Sequence, residues 1–148
     1  KTKIQMYSPN IIFNALLRTY ARRCMENNIS FSADAPIPNE IDIPLLSISI
    51  IFGNLLENAF EASRKAEKPF IRISAEFDGG KLKAEVRNSM AGSIIWERGI
   101  PSSTKKNGGA GIRSAIATLD KHGGMLRMKQ EGAVFLSEVI IPCSITAE

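Results

Sequence analysis

A chain of 148 residues is long enough for one domain with a single hydrophobic core. Hydrophobic residues make up 44% and charged residues 23%, and the net charge of +4 comes from scattered basic residues. This composition is typical of a globular protein and argues against a nucleic-acid-binding stripe. Cys24 and Cys143 are far apart and have no histidine cluster beside them, which argues against a disulfide framework or zinc site and favours a reducing cytoplasm.

Two features bear on membranes and processing. The longest strongly apolar stretch, 43–56, is interrupted by Ser47, Ser49, Gly53 and Asn54, so we expect it to be too short to span a bilayer. No signal peptide is visible. Because the chain begins with lysine, we expect it to be an excised fragment whose sensor or membrane regions lie elsewhere.

The N-terminal half predicts two helices separated by a short strand. Ser8 followed by Pro9 is typical of a helix start, with serine as the N-cap, and apolar residues every four positions indicate an amphipathic helix to about Asn27. The alternating segment 29–33 predicts a strand, and three prolines mark the loop after it. A second, longer helix is predicted from Leu45 to Ala66.

The C-terminal half predicts two strand pairs around a third helix. Strands over 70–77 and 82–86 would be joined by a turn at Asp78-Gly79-Gly80. The third helix would begin at Gly111 and end at Gly123-Gly124. The last strand pair is predicted over 125–130 and 133–141.

This order of elements predicts an α+β fold. The expected architecture is a two-layer α/β sandwich, in which a mixed, mostly antiparallel sheet is covered on one face by three helices. We expect residues 1–148 to form one domain. Segment 88–110 is irregular, and a long irregular segment inside a compact domain is typical of a lid or binding loop.

The second helix carries a polar stripe on an otherwise apolar surface. Asn54, Asn58, Glu61 and Lys65 recur at spacings that place them on one helix face, and Glu57 borders them. A buried helix must direct such a stripe into a cleft or pair it. An amide oxygen is a hard ligand suited to Mg²⁺, although a plain solvent-facing stripe would give the same pattern.

A glycine-rich turn precedes the third helix. In Gly108-Gly109-Ala110-Gly111 the glycines permit close approach of the backbone to a ligand, and the helix start offers free N–H groups for phosphate. Thr104 and Lys105 stand just before it and would add a hydroxyl donor and a positive charge. A glycine-rich hinge is the other interpretation of this segment.

Together these segments resemble the nucleotide-binding domain of the Bergerat-type (GHKL) ATPases, which include histidine kinases, gyrase, Hsp90 and MutL. Residues 54–62 resemble the N box of histidine kinases, and within that group they are most similar to the AgrC-like quorum-sensing branch. Residues 103–105 and 109–112 resemble its lid and second glycine box, and residues 7–10 and 14–17 resemble the helix leading into the domain.

The resemblance implies an ATP site with Mg²⁺ as cofactor. Asn58 would bind the metal, and Asn54 would support the phosphates or the metal's waters. Gly109 and Gly111 would give backbone contacts to the phosphates, and Lys105 would reach the triphosphate from the lid. The full candidate set of cofactor-binding residues is Asn54, Asn58, Glu61, Asn88, Thr104, Lys105, Gly109 and Gly111.

Three positions depart from the common pattern of the family. The aspartate that reads adenine is missing, and Asn88 is the nearest candidate; its side-chain oxygen still accepts a hydrogen bond but carries no charge. Glu61 stands where common kinases carry a basic residue. Asn54 stands where gyrase and Hsp90 place a glutamate base, which argues for phosphoryl transfer over hydrolysis and against an anti-sigma-factor serine kinase.

The resemblance therefore implies the ATP-binding portion of a protein histidine kinase. It would donate the γ-phosphate to a histidine on a separate dimerisation domain, from which a response regulator receives it. It would be a cytoplasmic part of a membrane-bound sensor.

His122, the only histidine, is interpreted as a capping residue at a helix end, so we expect no phosphoacceptor and no certain catalytic residue in this chain. Trp96 is interpreted as a packing residue and Cys24 as a core residue. The alternative is a degenerate domain that acts as an interaction module with weak or no nucleotide binding.

Overall fold

The computed structural model describes residues 6–101 and 109–146. Over these ranges the chain forms three helices and a five-stranded sheet of order β1-β2-β3-β7-β6, with a separate two-stranded hairpin. The elements are α1 (Ile11–Glu26), β1 (Ser30–Asp34), α2 (Leu45–Arg64), β2 (Phe70–Phe77), β3 (Lys81–Ser89), β4 (Trp96–Glu97), β5 (Ile100–Pro101), α3 (Ala110–Lys121), β6 (Met125–Glu131) and β7 (Val134–Pro142).

The sheet confirms the predicted α+β class and its mixed character. β1 pairs with β2 in parallel, and every other pairing in the main sheet is antiparallel. Alternate residues of the strands are buried, as the period of two in the sequence predicts. One face of the sheet thus packs against the helices, while the other carries charged pairs such as Arg87 with Glu85.

The core lies between the sheet and the helix layer. α1 contributes Phe13, whose ring centroid lies 4.6 Å from that of Phe52 on α2. α2 is the most deeply buried helix, because its apolar residues face both the sheet and its two helical neighbours. Its buried residues are Ile48, Ile51, Phe52, Leu55, Leu56, Ala59, Phe60 and Ser63.

By length and composition alone, α2 is also long and apolar enough to cross a membrane, with 20 residues and a mean hydropathy of 1.2. This differs from our expectation for the shorter stretch 43–56, because the helix extends a further two turns beyond it. Most of the residues that make it apolar are packed in the core, whereas Leu45 and Leu46 in its first turn are exposed. Core packing therefore accounts for the composition of α2.

The first helix starts later than predicted. Ser8 is not its N-cap: Asn10 holds that position, and its side-chain Oδ1 accepts a hydrogen bond from the backbone N–H of Phe13 at 3.0 Å. Ser8 instead accepts a hydrogen bond from the backbone N–H of Asn10 at 3.2 Å. The Asn10 Nδ2 also donates to the carbonyl of Pro38, which joins the helix start to the loop after β1.

The segment predicted to be irregular contains regular structure. Asn88 and Ser89 belong to β3, which extends beyond its predicted end at Val86 because both residues pair with β7. Farther along, β4 and β5 form a small antiparallel hairpin. α3 begins at Ala110, one residue earlier than predicted, with Gly109 as its N-cap.

Replacing the N-cap tests this account of the α1 start. We expect Asn10→Ala to lower the free energy of unfolding by about 1–2 kcal/mol, since it leaves the N–H of Phe13 and the carbonyl of Pro38 without partners. Urea unfolding followed by circular dichroism measures the change. Thr19→Ala, at an exposed position of the same helix, should be near neutral; equal losses in the two variants would contradict the assignment.

Candidate functional site

In the folded chain the polar stripe of α2 lies along the edge of a helix that is otherwise largely buried. Asn58 is exposed, and in the part of the chain that the structure describes its side chain makes no hydrogen bond. Asn54, one turn earlier, is half-buried, and its Nδ2 donates to the carbonyl of Ile50 at 2.8 Å. Glu61, one turn later, is half-buried and lies 3.5 Å from Arg64. Asn58 is thus the stripe residue whose amide is open to a ligand.

The stripe meets the glycine-rich turn at Gly111. A Cβ atom added to Gly111 would lie 2.8 Å from the side-chain Oδ1 of Asn54, which is closer than real Cβ contacts occur. Any side chain at this position would therefore displace either the asparagine or the helix. The two segments that the sequence singled out separately are in direct contact in the fold.

The start of α3 offers free backbone donors. Gly109 is its N-cap with a φ of 82°, a left-handed conformation that glycine adopts without strain, and no side chain among the described residues caps the helix. A helix end of this kind favours an anion, because the first N–H groups are unpaired and the helix dipole is positive there. A Cβ at Gly109 would lie 2.8 Å from the guanidinium of Arg113, so that arginine is folded back over the first turn.

Asn88 lies at the end of β3 with its side chain on the helix side of the sheet. It is only 1% exposed, and its Nδ2 donates to the carbonyl of Ser89 at 3.0 Å. Its side-chain oxygen is the acceptor of this amide, and it accepts no hydrogen bond from the described residues. Its cross-strand neighbours on the same face are Ile71 and Phe135.

An aromatic pair borders Asn88, as sequence reasoning did not foresee. Trp96 stacks on Phe135 with ring centroids 6.1 Å apart and 24° between the planes. Gln130 fixes the segment in front of Trp96, because its Oε1 accepts from the N–H of Ile94 and its Nε2 donates to the carbonyl of Gly92. The packing role expected for Trp96 agrees with this arrangement. No sequence pattern pointed to Gln130, whose role depends on a contact 36 residues away.

Glu57 is turned away from the glycine-rich turn and toward α1. Its Oε1 accepts hydrogen bonds from the Tyr20 hydroxyl at 2.7 Å and from Arg23 Nη1 at 2.6 Å. Burial would raise the pKa of the Glu57 carboxyl, but the hydrogen bonds from Arg23 and Tyr20 outweigh burial and hold that pKa below its ordinary value. The carboxylate is therefore ionised near neutral pH and already engaged.

Two other expected features, His122 and Cys24, have a structural outcome. His122 is the C-cap of α3, as interpreted, and its ring Nε2 lies 2.9 Å from the hydroxyl of Ser47 on α2. Cys24 is buried in the core, where burial raises the pKa of its thiol to about 11. Over residues 6–101 and 109–146 no group of histidine, cysteine, aspartate and glutamate side chains could by itself hold a metal ion. Thr104 and Lys105 lie outside the described residues.

The sequence matches a family model described as a GHKL domain over residues 43–142, which include α2, the glycine-rich turn and the last four strands of the main sheet. The chain belongs to the GHKL domain family. No curated protein matches the sequence of this GHKL domain.

Several solved structures of histidine kinases have a similar fold. The nucleotide-free catalytic domain of histidine kinase ThkA is 24% identical, with a TM-score of 0.69 over 88% of this chain and 93% of that one. The mycobacterial sensor histidine kinase MprB is 14% identical, with a TM-score of 0.66 over 90% and 97%. Full-length ShkA, solved in complex with AMPPNP, is 20% identical, with a TM-score of 0.70 over 99% of this chain and 33% of that one. The chain thus has the fold of histidine kinase catalytic domains.

The contact between Asn54 and Gly111 can be tested with two glycine-to-alanine changes. We expect Gly111→Ala to lower the free energy of unfolding by about 1–3 kcal/mol, because the new Cβ collides with Asn54. Gly53→Ala, inside α2 with its nearest neighbour atom at 3.9 Å, should raise stability by about 0.5–1 kcal/mol. Chemical denaturation measures both.

A third variant separates the collision from other effects at the helix start. In Asn54→Ala/Gly111→Ala the obstructing amide is gone, so most of the loss should be recovered. If the double variant is as unstable as Gly111→Ala, the contact with Asn54 is not what requires glycine at this position.

Proposed function

We propose that this GHKL domain is the ATP-binding catalytic domain of a two-component sensor histidine kinase. It would present the γ-phosphate of ATP to a histidine on a separate dimerisation domain, from which a response regulator receives the phosphoryl group. The observation that carries the proposal is the contact between Asn54 and Gly111. It places the polar stripe of α2 beside a helix start that favours phosphate, with exposed Asn58 one turn farther along.

Asn58 fits the role of a magnesium ligand. Its amide oxygen is a hard donor, and its side chain has no competing hydrogen bond within the described residues. Mg²⁺ keeps several waters and shares phosphate oxygens with its nucleotide, so one protein ligand is enough to hold it in place. When bound, the metal neutralises charge on the phosphates during transfer.

The phosphates would lie against the N-terminus of α3. We assign backbone contacts to Gly109 and Gly111, where the absence of side chains leaves the N–H groups accessible. Asn54 would stand next to the phosphates while its amide oxygen faces Gly111. Thr104 and Lys105 would approach from the lid, which we place between the end of β3 and residue 110.

The adenine would be read at the end of β3. The side-chain oxygen of Asn88 can accept a hydrogen bond from the adenine amino group, and the bond from its Nδ2 to the carbonyl of Ser89 orients the amide. A neutral amide replaces a carboxylate at this position, so adenine binding should be weaker than in kinases that keep the aspartate. The stacked pair of Trp96 and Phe135 forms the neighbouring wall.

The geometry favours phosphoryl transfer over hydrolysis. A hydrolase needs a base to activate water, and the position one turn before Asn58 holds an amide, Asn54. Glu57 is the adjacent carboxylate, but Tyr20 and Arg23 occupy it. The single histidine is engaged with Ser47, so we expect the isolated domain not to phosphorylate itself.

The partners and setting follow from the same proposal. ThkA, which shares this fold, has also been solved in complex with response regulator protein TrrA, and ShkA binds AMPPNP. By analogy we propose a response regulator and ATP as partners of this domain, and we place it on the cytoplasmic side of a membrane-bound sensor. We assign it to the AgrC-like branch on its N box and its missing adenine-reading aspartate.

Calorimetric titration of ATP with and without Mg²⁺ tests the proposal. We expect magnesium-dependent binding to the wild type and a loss of about tenfold or more in Asn58→Ala, since the variant lacks the oxygen ligand. Asn58→Asp keeps an oxygen ligand and should retain magnesium dependence, while Thr19→Ala on α1 should bind as the wild type does. A folded wild type that binds no ATP at millimolar concentration would overturn the proposal in favour of an interaction module.

A further inference from the structure

Asn58 lies between two carboxylates on the surface of α2. Glu57 precedes it directly, and Glu61 follows it by three residues on the same helix. Both carboxylates would repel a triphosphate, because like charges repel. Glu61 also stands where common kinases carry a basic residue that would attract one. Something must offset this charge if the site is to accept nucleotide.

Two arginines supply the compensation. Arg23 of α1 forms an ion pair of 2.6 Å with Glu57, and Arg64 in the last turn of α2 lies 3.5 Å from Glu61. The pairs are partly open to solvent, with side chains 37% and 44% exposed in the first and 50% and 27% in the second. At such exposure an ion pair adds little to stability, so the main effect of these pairs is on the local charge around Asn58.

The ring of Phe60 holds both arginines in place. The guanidinium carbon of Arg23 lies 4.1 Å from the ring centroid and that of Arg64 lies 5.5 Å from it. Tyr20 completes the arrangement, because its ring packs edge-on against Phe60 and its hydroxyl donates to Glu57. We call these residues the Phe60 cluster: Tyr20, Arg23, Glu57, Phe60, Glu61 and Arg64.

We propose that the Phe60 cluster is an electrostatic screen for the nucleotide site, in which Arg23 and Arg64 neutralise the two carboxylates that flank Asn58 so that a polyphosphate can bind. The proposal rests on the proposed function, because it takes Asn58 as the metal ligand. It assigns Arg23 and Arg64 a role in ligand affinity without contact to the ligand. Since Arg23 belongs to α1, the orientation of that helix then bears on nucleotide affinity.

The test compares ligands that differ only in phosphate number. Adenosine, Mg·ADP and Mg·ATP are titrated into the 148-residue chain by calorimetry. For Arg23→Gln we expect Mg·ATP to bind roughly three- to tenfold more weakly, ADP to lose less and adenosine to change by less than about twofold, since Coulomb repulsion scales with ligand charge. The loss should shrink at about 1 M salt, where the screening length is about 3 Å.

A second variant gives a change of opposite sign. Glu57→Gln keeps the shape and the acceptor oxygen of the side chain but removes its charge, so Mg·ATP should bind about two- to fivefold more tightly. If the cluster only packs α1 against α2, both variants should bind Mg·ATP more weakly. Arg22→Gln, an exposed neighbour with the same change of charge, is the matched control and should alter affinity by less than about twofold.

The outcomes separate the two proposals. If adenosine loses as much affinity as ATP in Arg23→Gln, or if Glu57→Gln weakens ATP binding, the proposed electrostatic screen is wrong. The proposed ATP site is not contradicted by either result. If the wild type binds no Mg·ATP, the proposed function fails and the screen fails with it. Should Arg23→Gln not fold, Arg64→Gln tests the same idea at the other carboxylate, with an expected loss of roughly two- to fivefold for ATP alone.

Discussion

The architecture depends on how closely α2 approaches α3. On one side Gly53 lies opposite Leu16 of α1 with room for a methyl group, and on the other Gly111 of α3 lies so close to Asn54 that no Cβ fits. The approach of α3, rather than that of α1, is therefore the contact that requires glycine. A wider spacing on the α3 side would separate the polar edge of α2 from the helix start that faces it.

This spacing explains how one helix serves both the core and the site. α2 buries apolar residues against the sheet and keeps its amides and carboxylates along one edge. Buried polar groups are costly without partners, and each of these groups has a distinct solution. Asn54 bonds to its own helix, Glu57 bonds to α1, and Asn58 remains open to solvent.

The sequence predicted the elements of the fold well, because periodicity is a local property. The alternation in the strands and the apolar face of α1 were sufficient to place them and to predict the sandwich. The predicted element boundaries were wrong where contacts with residues distant in sequence determine where an element begins or ends. The end of β3 was predicted too early, because Asn88 and Ser89 remain in the strand through their pairing with β7. The N-cap of α1 was predicted at Ser8, because the hydrogen bond from Asn10 to Pro38 cannot be inferred from sequence spacing.

The candidate site was predictable to the same extent. The helical spacing of Asn54 and Asn58 and the glycines before α3 were evident in the sequence, and the resemblance joined them. What the sequence did not reveal are contacts between elements, such as Arg23 with Glu57 or Trp96 with Phe135. In the sequence Arg23 looks like part of a solvated helix face. Only the parallel packing of α1 on α2 brings it beside the carboxylate.

The strand order has a consequence for how the domain is assembled. β7, the last strand of the chain, lies between β3 and β6, and the residues after it return to the loop before α2, where Asp42 and Ser144 exchange hydrogen bonds. During synthesis α1, α2 and the first three strands therefore emerge before the strand that pairs with β3 on its other side. Such non-local pairing is slow and favours a single late, cooperative step. A ribosome-bound chain would thus complete this sheet only after β7 has emerged, and a product truncated before β7 would expose the apolar faces of α2 and β3 to chaperones and proteases.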